Sequence, residues 1–348
     1  MNTTDIAKLA GVSRGTVSRV INNKPDVAEK TRKNIEKIIK DYGFTPNNSA
    51  RNLVGKSNNI IELFVADLKS RDENNPWLAQ KAPYFMSFIT ATIGEAKKFG
   101  YKVLVNIVTD QSEYKSLETD FKNKTISGGI FIGFDSGIEH LWDLAKKNYN
   151  LVFIDQFFFD EYKDKNIISL KIDDDEGGYK ATKYLIKMGH KKILHIHGSK
   201  GRLSSSLRIE GYKRALEEFE IEFNKDYLVD GDYLESSAYR GMLDILENNK
   251  IENPTAVFAG NDIMGYGVIK AIREKGLKIP EDISVMGYDN DPLGKYLVPR
   301  LTTMEVPLER VSKFCIENLI NQIDKKKNEK EKTFNVTLVE RESVQKIY

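Results

Sequence analysis

The groups able to do chemistry in this chain fall into two sets. The first lies near the start, where Arg14, Gly15, Ser18, Arg19 and Asn22 share one face of a helical stretch. Arginine forks pair with guanine edges in a DNA major groove, short polar groups meet phosphates, and a glycine permits close approach. The second set sits at the ends of apolar runs further along. Asp155 closes LVFID, Asn261 and Asp262 close AGND, and Asp289 lies in GYDN. Ser204 and Arg208 open a helix, SSSLRIEGY, after a glycine-containing loop, and Tyr233 follows in GDYLESSAY. Carboxylates, an amide and an arginine suit bidentate contacts with sugar hydroxyls, while an aromatic face packs on the apolar side of a pyranose. Each acidic residue has a plainer alternative, as the cap of the helix following its strand.

The first set needs a scaffold that holds a helix outward, and the local pattern supplies one. Ile6, Leu9 and Ala10 stand at helical i, i+3, i+4 spacing, and Val17, Val20 and Ile21 repeat it. Between them, Gly11 suits the left-handed close of one helix and Ser13 the cap of the next. This is the pattern of a helix-turn-helix. Asp26-Val27-Ala28-Glu29 has the form of a capping box opening a third helix. Ile35, Ile38, Ile39 and Tyr42 line one face of that helix, and Gly43 is placed to end it.

The second set needs parallel strands. Continuous apolar runs at 60–66, 102–108, 128–134, 151–155, 167–172, 192–198, 255–260 and 282–288 alternate with amphipathic helices. About ten strands in two series predict two doubly wound α/β lobes, with ligands bound beyond the carboxyl ends of the strands.

Charge separates the same two parts. Residues 1–56 hold eleven Lys/Arg against five Asp/Glu, so the head carries +6 and the remainder −4. A basic head concentrates phosphate affinity at one end. The single cysteine, Cys315, excludes an internal disulfide, and no secretory pattern or membrane-spanning apolar stretch is present. A cytoplasmic protein without membrane association is expected. No G-x-G-x-x-G, P-loop or nucleophile elbow supports a dinucleotide enzyme, nucleotide hydrolase or serine hydrolase. His195-x-His197 lacks a third ligand at suitable spacing and reads as structural, and neither cofactor nor metal is expected.

GVSRGTVSRVINNKPDVAEKTR resembles the headpiece of the LacI/GalR family of bacterial transcription regulators, and the similarity continues over nearly all 348 residues. The resemblance implies an all-α headpiece at 1–45, a hinge helix and linker at 46–58, and a two-lobed, periplasmic-binding-protein-like body. On that pattern one lobe holds 59–164 and 296–326, the other 165–295 and 327–348. The chain crosses between them near 162–166, 291–296 and 325–330. Arg14 and Arg19 are expected to read bases. Ser13, Thr16, Ser18, Asn22 and Thr31 meet phosphates, and Thr4 joins the DNA-contacting set. In the hinge, Pro46, Asn47, Ala50, Leu53 and Gly55 fit the family pattern, with Leu53 as a minor-groove wedge. Asp155, Arg208, Tyr233, Asn261 and Asp289 fall where sugar-responsive members contact their inducer.

The chain departs from the pattern at 67–82, a long polar loop where relatives run briefly through Asn-Pro-Phe-Phe. Tyr84 and Phe85 alone keep the aromatic ending, as candidates to line the cleft. Gln156 stands where arginine is frequent. The expected protein is a homodimeric repressor on double-stranded operator DNA, released by a small-molecule inducer, a sugar or sugar derivative. The tail shows no leucine heptads for higher assembly. Left open are a corepressor-dependent regulator taking a purine or a phosphoprotein partner, a sugar-binding protein, and an enzyme of the same body fold.

Overall fold

The computed structural model describes residues 2–21, 24–44, 58–66, 83–135, 138–156, 165–248, 251–252 and 254–347. The chain divides into two compact units, Met1–Asn58 and Asn59–Tyr348.

In the first unit, helices α1 (Thr3–Ala10), α2 (Arg14–Ile21) and α3 (Glu29–Asp41) enclose Ile6, Ala7, Val17, Val20, Val27 and Ile35. Gly11 closes α1 at φ 65°, and the Thr16 backbone N–H donates to Ser13 Oγ at 3.1 Å, capping α2 as the sequence predicts. Gly43 ends α3 region at φ 59°. Three details differ from expectation. Ala7 is buried, whereas Leu9 is half exposed because it lies one step off the stripe facing α2 and α3. Tyr42 lies beyond the last turn of α3 and is likewise exposed. The capping box at Asp26 does not form: α3 starts at Glu29, with Ala28 before it and no side-chain cap, and Asp26 instead lies 3.8 Å from Arg19.

The second unit holds two six-stranded sheets. The first contains β1 (Ile60–Ala66), β2 (Lys102–Val108), β3 (Gly128–Ile132), β4 (Leu151–Ile154), β5 (Ile167–Ile172) and β11 (Glu331–Phe334), ordered β11-β5-β4-β3-β1-β2 and parallel throughout. The second contains β6 (Ile193–His197), β7 (Leu228–Asp230), β8 (Ala256–Ala259), β9 (Ser284–Asp289), β10 (Thr302–Glu305) and β12 (Thr337–Val339). Its order is β12-β10-β9-β8-β6-β7, and only the β10–β12 pair is antiparallel.

Strand β1 shows why both faces are covered. Leu63 and Val65 join one core cluster and Phe64 and Ala66 another, because alternate side chains leave opposite faces. The helices that matter for the site are α4 (Pro83–Lys98), α7 (Asp174–Lys187), α8 (Leu203–Glu218), α9 (Glu235–Asn248), α10 (Asp262–Glu274) and α11 (Leu308–Ile323); two shorter ones, α5 (Thr119–Lys122) and α6 (Glu139–Lys146), cover the first sheet.

Sheet membership moves all three crossings. β5 belongs to the first sheet, so the chain leaves it after Ile172 rather than at 162–166. β10 belongs to the second sheet, so the return follows Glu305 rather than 291–296. β11 and β12 lie in different sheets, which puts the last crossing between Phe334 and Thr337 rather than at 325–330. In each case the strand before the crossing lies at or next to a sheet edge formed by β11 or β12, short segments that carry a weak apolar signal. Strand pairing therefore overrides the lobe limits drawn from the sequence.

Helices α7 and α8 touch at glycines. A Cβ on Gly211 would lie 2.0 Å from the Asp175 carbonyl oxygen, and one on Gly178 would lie 2.3 Å from that of Arg208. The expected effect of Gly211→Ala is therefore overpacking, about 1–3 kcal/mol of lost stability. At roughly 2–3 °C per kcal/mol this lowers the unfolding midpoint by roughly 2–9 °C. An unchanged midpoint by differential scanning calorimetry would show that the two helices part without cost.

Candidate functional site

Both sheets have a topological switch, between β1 and β3 in one and between β6 and β8 in the other. Loops leaving the carboxyl ends of strands there open a crevice. In this chain the crevices face each other, and the cleft between the lobes has a volume of about 270 Å³. All eight residues selected from the sequence line it: Tyr84, Phe85, Asp155, Ser204, Arg208, Tyr233, Asn261 and Asp289.

Arg208 is its centre. The guanidinium is buried, and its Nε donates to Asp174 Oδ1 at 2.8 Å. One terminal nitrogen donates to the Gly260 carbonyl, and the other lies 4.0 Å from Asp289 Oδ1. The plane stacks on the Tyr288 ring, 3.7 Å from its centroid, with Tyr233 at 6.0 Å. Burial opposes the charge on Arg208, but Asp174, Tyr233, Tyr288 and Asp289 together outweigh it, so the group is held more firmly protonated than usual.

Asp174 was not singled out in the sequence. It is the middle of three aspartates at the start of α7, and the three do different work. Asp173 accepts from the Glu176 backbone N–H as the helix cap, Asp175 pairs with Arg214 at 2.7 Å on the surface, and Asp174 turns inward to Arg208. A strand–helix junction signals that an acid is present, but the sequence gives no sign of which one faces the cleft.

The remaining wall follows from local backbone. Four of the eight non-glycine residues with positive φ among the described residues line this cleft: Asp155 at 56°, Asp232 at 50°, Tyr233 at 56° and Asp289 at 106°. Such conformations persist where surroundings over-determine them, and they cluster at ligand sites. Asp155 Oδ1 accepts from the Ile172 backbone N–H at 2.9 Å. Tyr233 lies across Gly198, where a Cβ would come within 2.1 Å of the ring, and its hydroxyl is 2.8 Å from Ser204 Oγ. Asn261 caps α10, its Oδ1 accepting from Met264 N–H at 2.8 Å, so one face of its amide is already committed. Gln156, in the arginine position, donates to the Phe134 carbonyl at 2.9 Å and steadies the end of β3.

Two further groups at the cleft escaped the sequence reading. Asp135, after β3, and Arg202, before α8, form an ion pair at 3.3 Å that joins the two lobes. Only the folded arrangement brings them together, and neither lies in a motif. Asp262, by contrast, stays out of this cleft: Thr303 Oγ1 and the Asp291 N–H both bond it at 2.6 Å.

Three carboxylates share one guanidinium, and their acidity reflects it. Burial and the neighbouring Asp174 charge push Asp155 up to about 7, against the pull of the Ile172 N–H and Arg208. Burial pushes Asp289 up to about 7 as well, opposed by Arg208. Asp174 is also raised by burial, with Arg208 opposing.

On the headpiece, Arg14, Gly15, Ser18 and Arg19 are exposed along α2, and Thr4 is exposed on α1. Thr16 is half buried, its hydroxyl 3.0 Å from Ser13 Oγ, and Thr31 is half buried on α3. Asn22, Asn47, Ala50, Leu53, Pro46 and Gly55, with the 67–82 loop, lie outside the described residues.

His195 and His197 are not a ligand pair in a wider metal set: among the described residues no group of three or more candidate ligands converges. His195 is buried, its Nδ1 2.9 Å from the Phe258 carbonyl oxygen, and stacks on Phe258 with centroids 4.4 Å apart. Burial lowers its pKa to about 3.

Comparison with known proteins decides the family. Residues 3–47 match the model for bacterial regulatory proteins of the lacI family, and residues 182–344 match a periplasmic binding protein-like domain. The probable HTH-type transcriptional repressor ExuR of Bacillus subtilis (strain 168) is 32% identical over 347 residues, covering 99% of this chain and 98% of that protein. The chain belongs to the lacI family. The HTH-type transcriptional repressor PurR of Aliivibrio fischeri (strain MJ11) is 33% identical over 328 residues, with 94% and 93% covered. Among solved structures, a CelR–cellobiose complex is similar at 25% identity, TM-score 0.72, with 99% of each chain covered. A lac repressor dimer bound to operator and the anti-inducer ONPF shares the fold at 24% identity and TM-score 0.85, again with 99% of each chain covered. This lacI-family chain is thus a DNA-binding transcriptional regulator with a two-lobed effector body.

The acidity of the cleft sets a pH dependence. A carboxylate whose pKa rises from 3.8 to about 7 on folding favours the folded state fully below pH 4 and loses that contribution as pH rises through 7. Asp289→Asn removes the titrating group, so the drop in unfolding midpoint between pH 5 and pH 8 should be smaller than in the parent protein. An identical drop in the variant would show that Asp289 is ionised at its ordinary pH in the fold.

Proposed function

We propose that this regulator is a repressor released from its operator by a neutral or weakly charged sugar bound between the lobes. One observation carries the reading: the eight residues taken from the sequence, polar groups suited to hydroxyls together with the aromatics Tyr84, Phe85 and Tyr233, line a single cleft around an arginine fixed by Asp174. The cellobiose complex of CelR supports a carbohydrate ligand. The cleft is read as serving binding rather than turnover, since Arg208 is committed to Asp174 and the Gly260 carbonyl and the relatives the chain matches are transcriptional repressors. Among the described residues no helix is long and apolar enough to cross a membrane, and a cytoplasmic location fits a DNA-binding protein.

Two copies acting together suit a helix-turn-helix that reads half-sites in successive major grooves. The body offers a surface for this. Edge strand β2 exposes Leu104 (42%) and Val105 (39%), and the adjoining α4 exposes Met86 and Ile93. Among the described residues β2 has no strand on its outer side, and an edge carrying apolar side chains suits pairing with its own copy. Arg14 and Arg19 read bases; Ser13, Thr16, Ser18, Asn22, Thr31 and Thr4 position the headpiece on phosphates; Asn47, Ala50 and Leu53 enter the minor groove.

Ligand and operator oppose each other only through their preference for different lobe arrangements. By linkage, each weakens the other by the same factor, and a coupling of about 2–3 kcal/mol is enough for a working switch. A corepressor acts through the same linkage with the opposite sign. Operator affinity that rises with the bound ligand would replace induction by corepression.

A thermal-shift screen of sugars, phosphosugars and nucleobases on the full chain should give its largest shift with a sugar. A shift with a nucleobase alone would overturn the sugar reading. On the headpiece, Arg19→Ala should relax preference at one base position by roughly 1–3 kcal/mol. A loss spread evenly over all sequences in competition gel shifts would reassign Arg19 to phosphate.

A further inference from the structure

A second cavity, of about 290 Å³, adjoins the cleft. Tyr84, Asn261 and Asp289 belong to the walls of both, so the two chambers meet at these residues. The second lies against the N-terminal turn of α4 and the crossing from β10 to α11. Taken singly, each chamber falls just under the ~300 Å³ lower bound usual for small-molecule pockets; joined, they lie well inside the range.

The chemistry of the second chamber can be read by removing the groups already committed. Asp262 is held by Thr303 and the Asp291 backbone, and Asp291 accepts from the Tyr266 hydroxyl at 2.7 Å and the Leu293 N–H at 2.9 Å. Asn290 gives its carbonyl oxygen to Arg341, which leaves its amide hydrogens to donate. With it stand the Ser87 hydroxyl, Glu305, Glu309 and Arg310, against apolar Val306 and Leu308. Neutral donors and carboxylates with an arginine beside apolar walls resemble the make-up of the first chamber, which holds Arg202 and Arg208. Tyr84 divides the two, its ring braced edge-on by Phe85 at 5.4 Å. A flat ring between two polar chambers suits a ligand with two hydroxylated rings and a flexible bond between them.

We propose that the effector occupies both chambers and is a saccharide of at least two linked rings, with Tyr84 beside the bond that joins them. This rests on the reading of the cleft as a sugar site and adds to it the size and shape of the ligand.

The test is isothermal titration of the full chain with glucose, galactose, cellobiose, maltose and lactose. At least one disaccharide should bind about tenfold or more tightly than either of its constituent sugars. Ser87→Trp fills the second chamber and should erase most of that advantage, read as the ratio of disaccharide to monosaccharide affinity within the variant. Equal affinity for the disaccharide and its constituents overturns the two-chamber proposal and leaves the sugar reading standing. An advantage that survives a folded Ser87→Trp variant, its fold checked by circular dichroism, also overturns it. The comparison on the parent chain decides the matter by itself if the variant does not fold. Absence of binding by every saccharide overturns the sugar reading and this proposal together.

Discussion

The effector body is organised around one buried contact, the 2.8 Å hydrogen-bonded ion pair between Arg208 and Asp174. It forms because α7 and α8 approach more closely than side chains normally allow, with Gly178 and Gly211 giving up their Cβ atoms at the contact. Arg208 then lies flat on Tyr288 and delivers its remaining donors toward the cleft. Buried ion pairs seldom add net stability, because desolvation of both charges offsets their attraction. Breaking one by removing a single partner is nonetheless costly, about 3–5 kcal/mol, because a lone charge stays behind. The pair is therefore better understood as a device for holding a charged, many-donor group at a fixed angle than as a source of fold stability.

Position gives that pair a second consequence. Asp174 stands two residues beyond the end of β5, where the chain first passes between the sheets. Glu305 ends β10 at the second passage, and buried Val336 marks the third, packed beside Gly177 of α7. Groups that line the cleft or its neighbour thus sit at two of the three connections between the lobes, and the third packs against α7, the helix that carries Asp174. A ligand that changes how Arg208, Asp174 and Asp289 share their contacts acts on the segments about which the lobes would turn. No long chain of intermediaries is needed between the binding site and those connections.

Much of this was legible in the sequence, and the failures have a common cause. The helix-turn-helix was readable because its information is local: Gly11, Ser13 and two apolar stripes determine one another within a dozen residues. Asp155, Asn261 and Asp289 were readable because each closes an apolar strand, and parallel strands put their carboxyl ends on one side; the other cleft residues were readable from the helix start at Ser204 and from the family pattern. What the sequence withheld were properties set by long-range pairing. β10, β11 and β12 are short and only partly apolar, and β5 has the distant β11 as its outer neighbour; the sheet membership of these strands, which moves the three crossings, depends on partners far along the chain. The same holds for Asp135 and Arg202, which meet only once both lobes are folded. Asp174 failed for a different reason. Three consecutive aspartates differ in fate by about a hundred degrees of helical rotation each, and no composition rule distinguishes them.

The charge balance of the cleft also explains where the energy for a switch originates. Asp155 and Asp289 are largely withdrawn from solvent with too little positive charge nearby, and each is held in a positive-φ conformation. The cleft therefore holds two acceptors whose ionised form is poorly solvated. Hydroxyl donors supplied by a ligand satisfy these acceptors, and hydrogen bonds to charged groups contribute about 1.5–3 kcal/mol each. That gain exists only where both lobes reach the ligand at once, because Asp155 follows a strand of the first sheet and Asp289 ends one of the second. Ligand affinity and lobe closure are consequently the same free energy measured in two ways, which is the condition for a binding event in the cleft to be felt elsewhere in the chain.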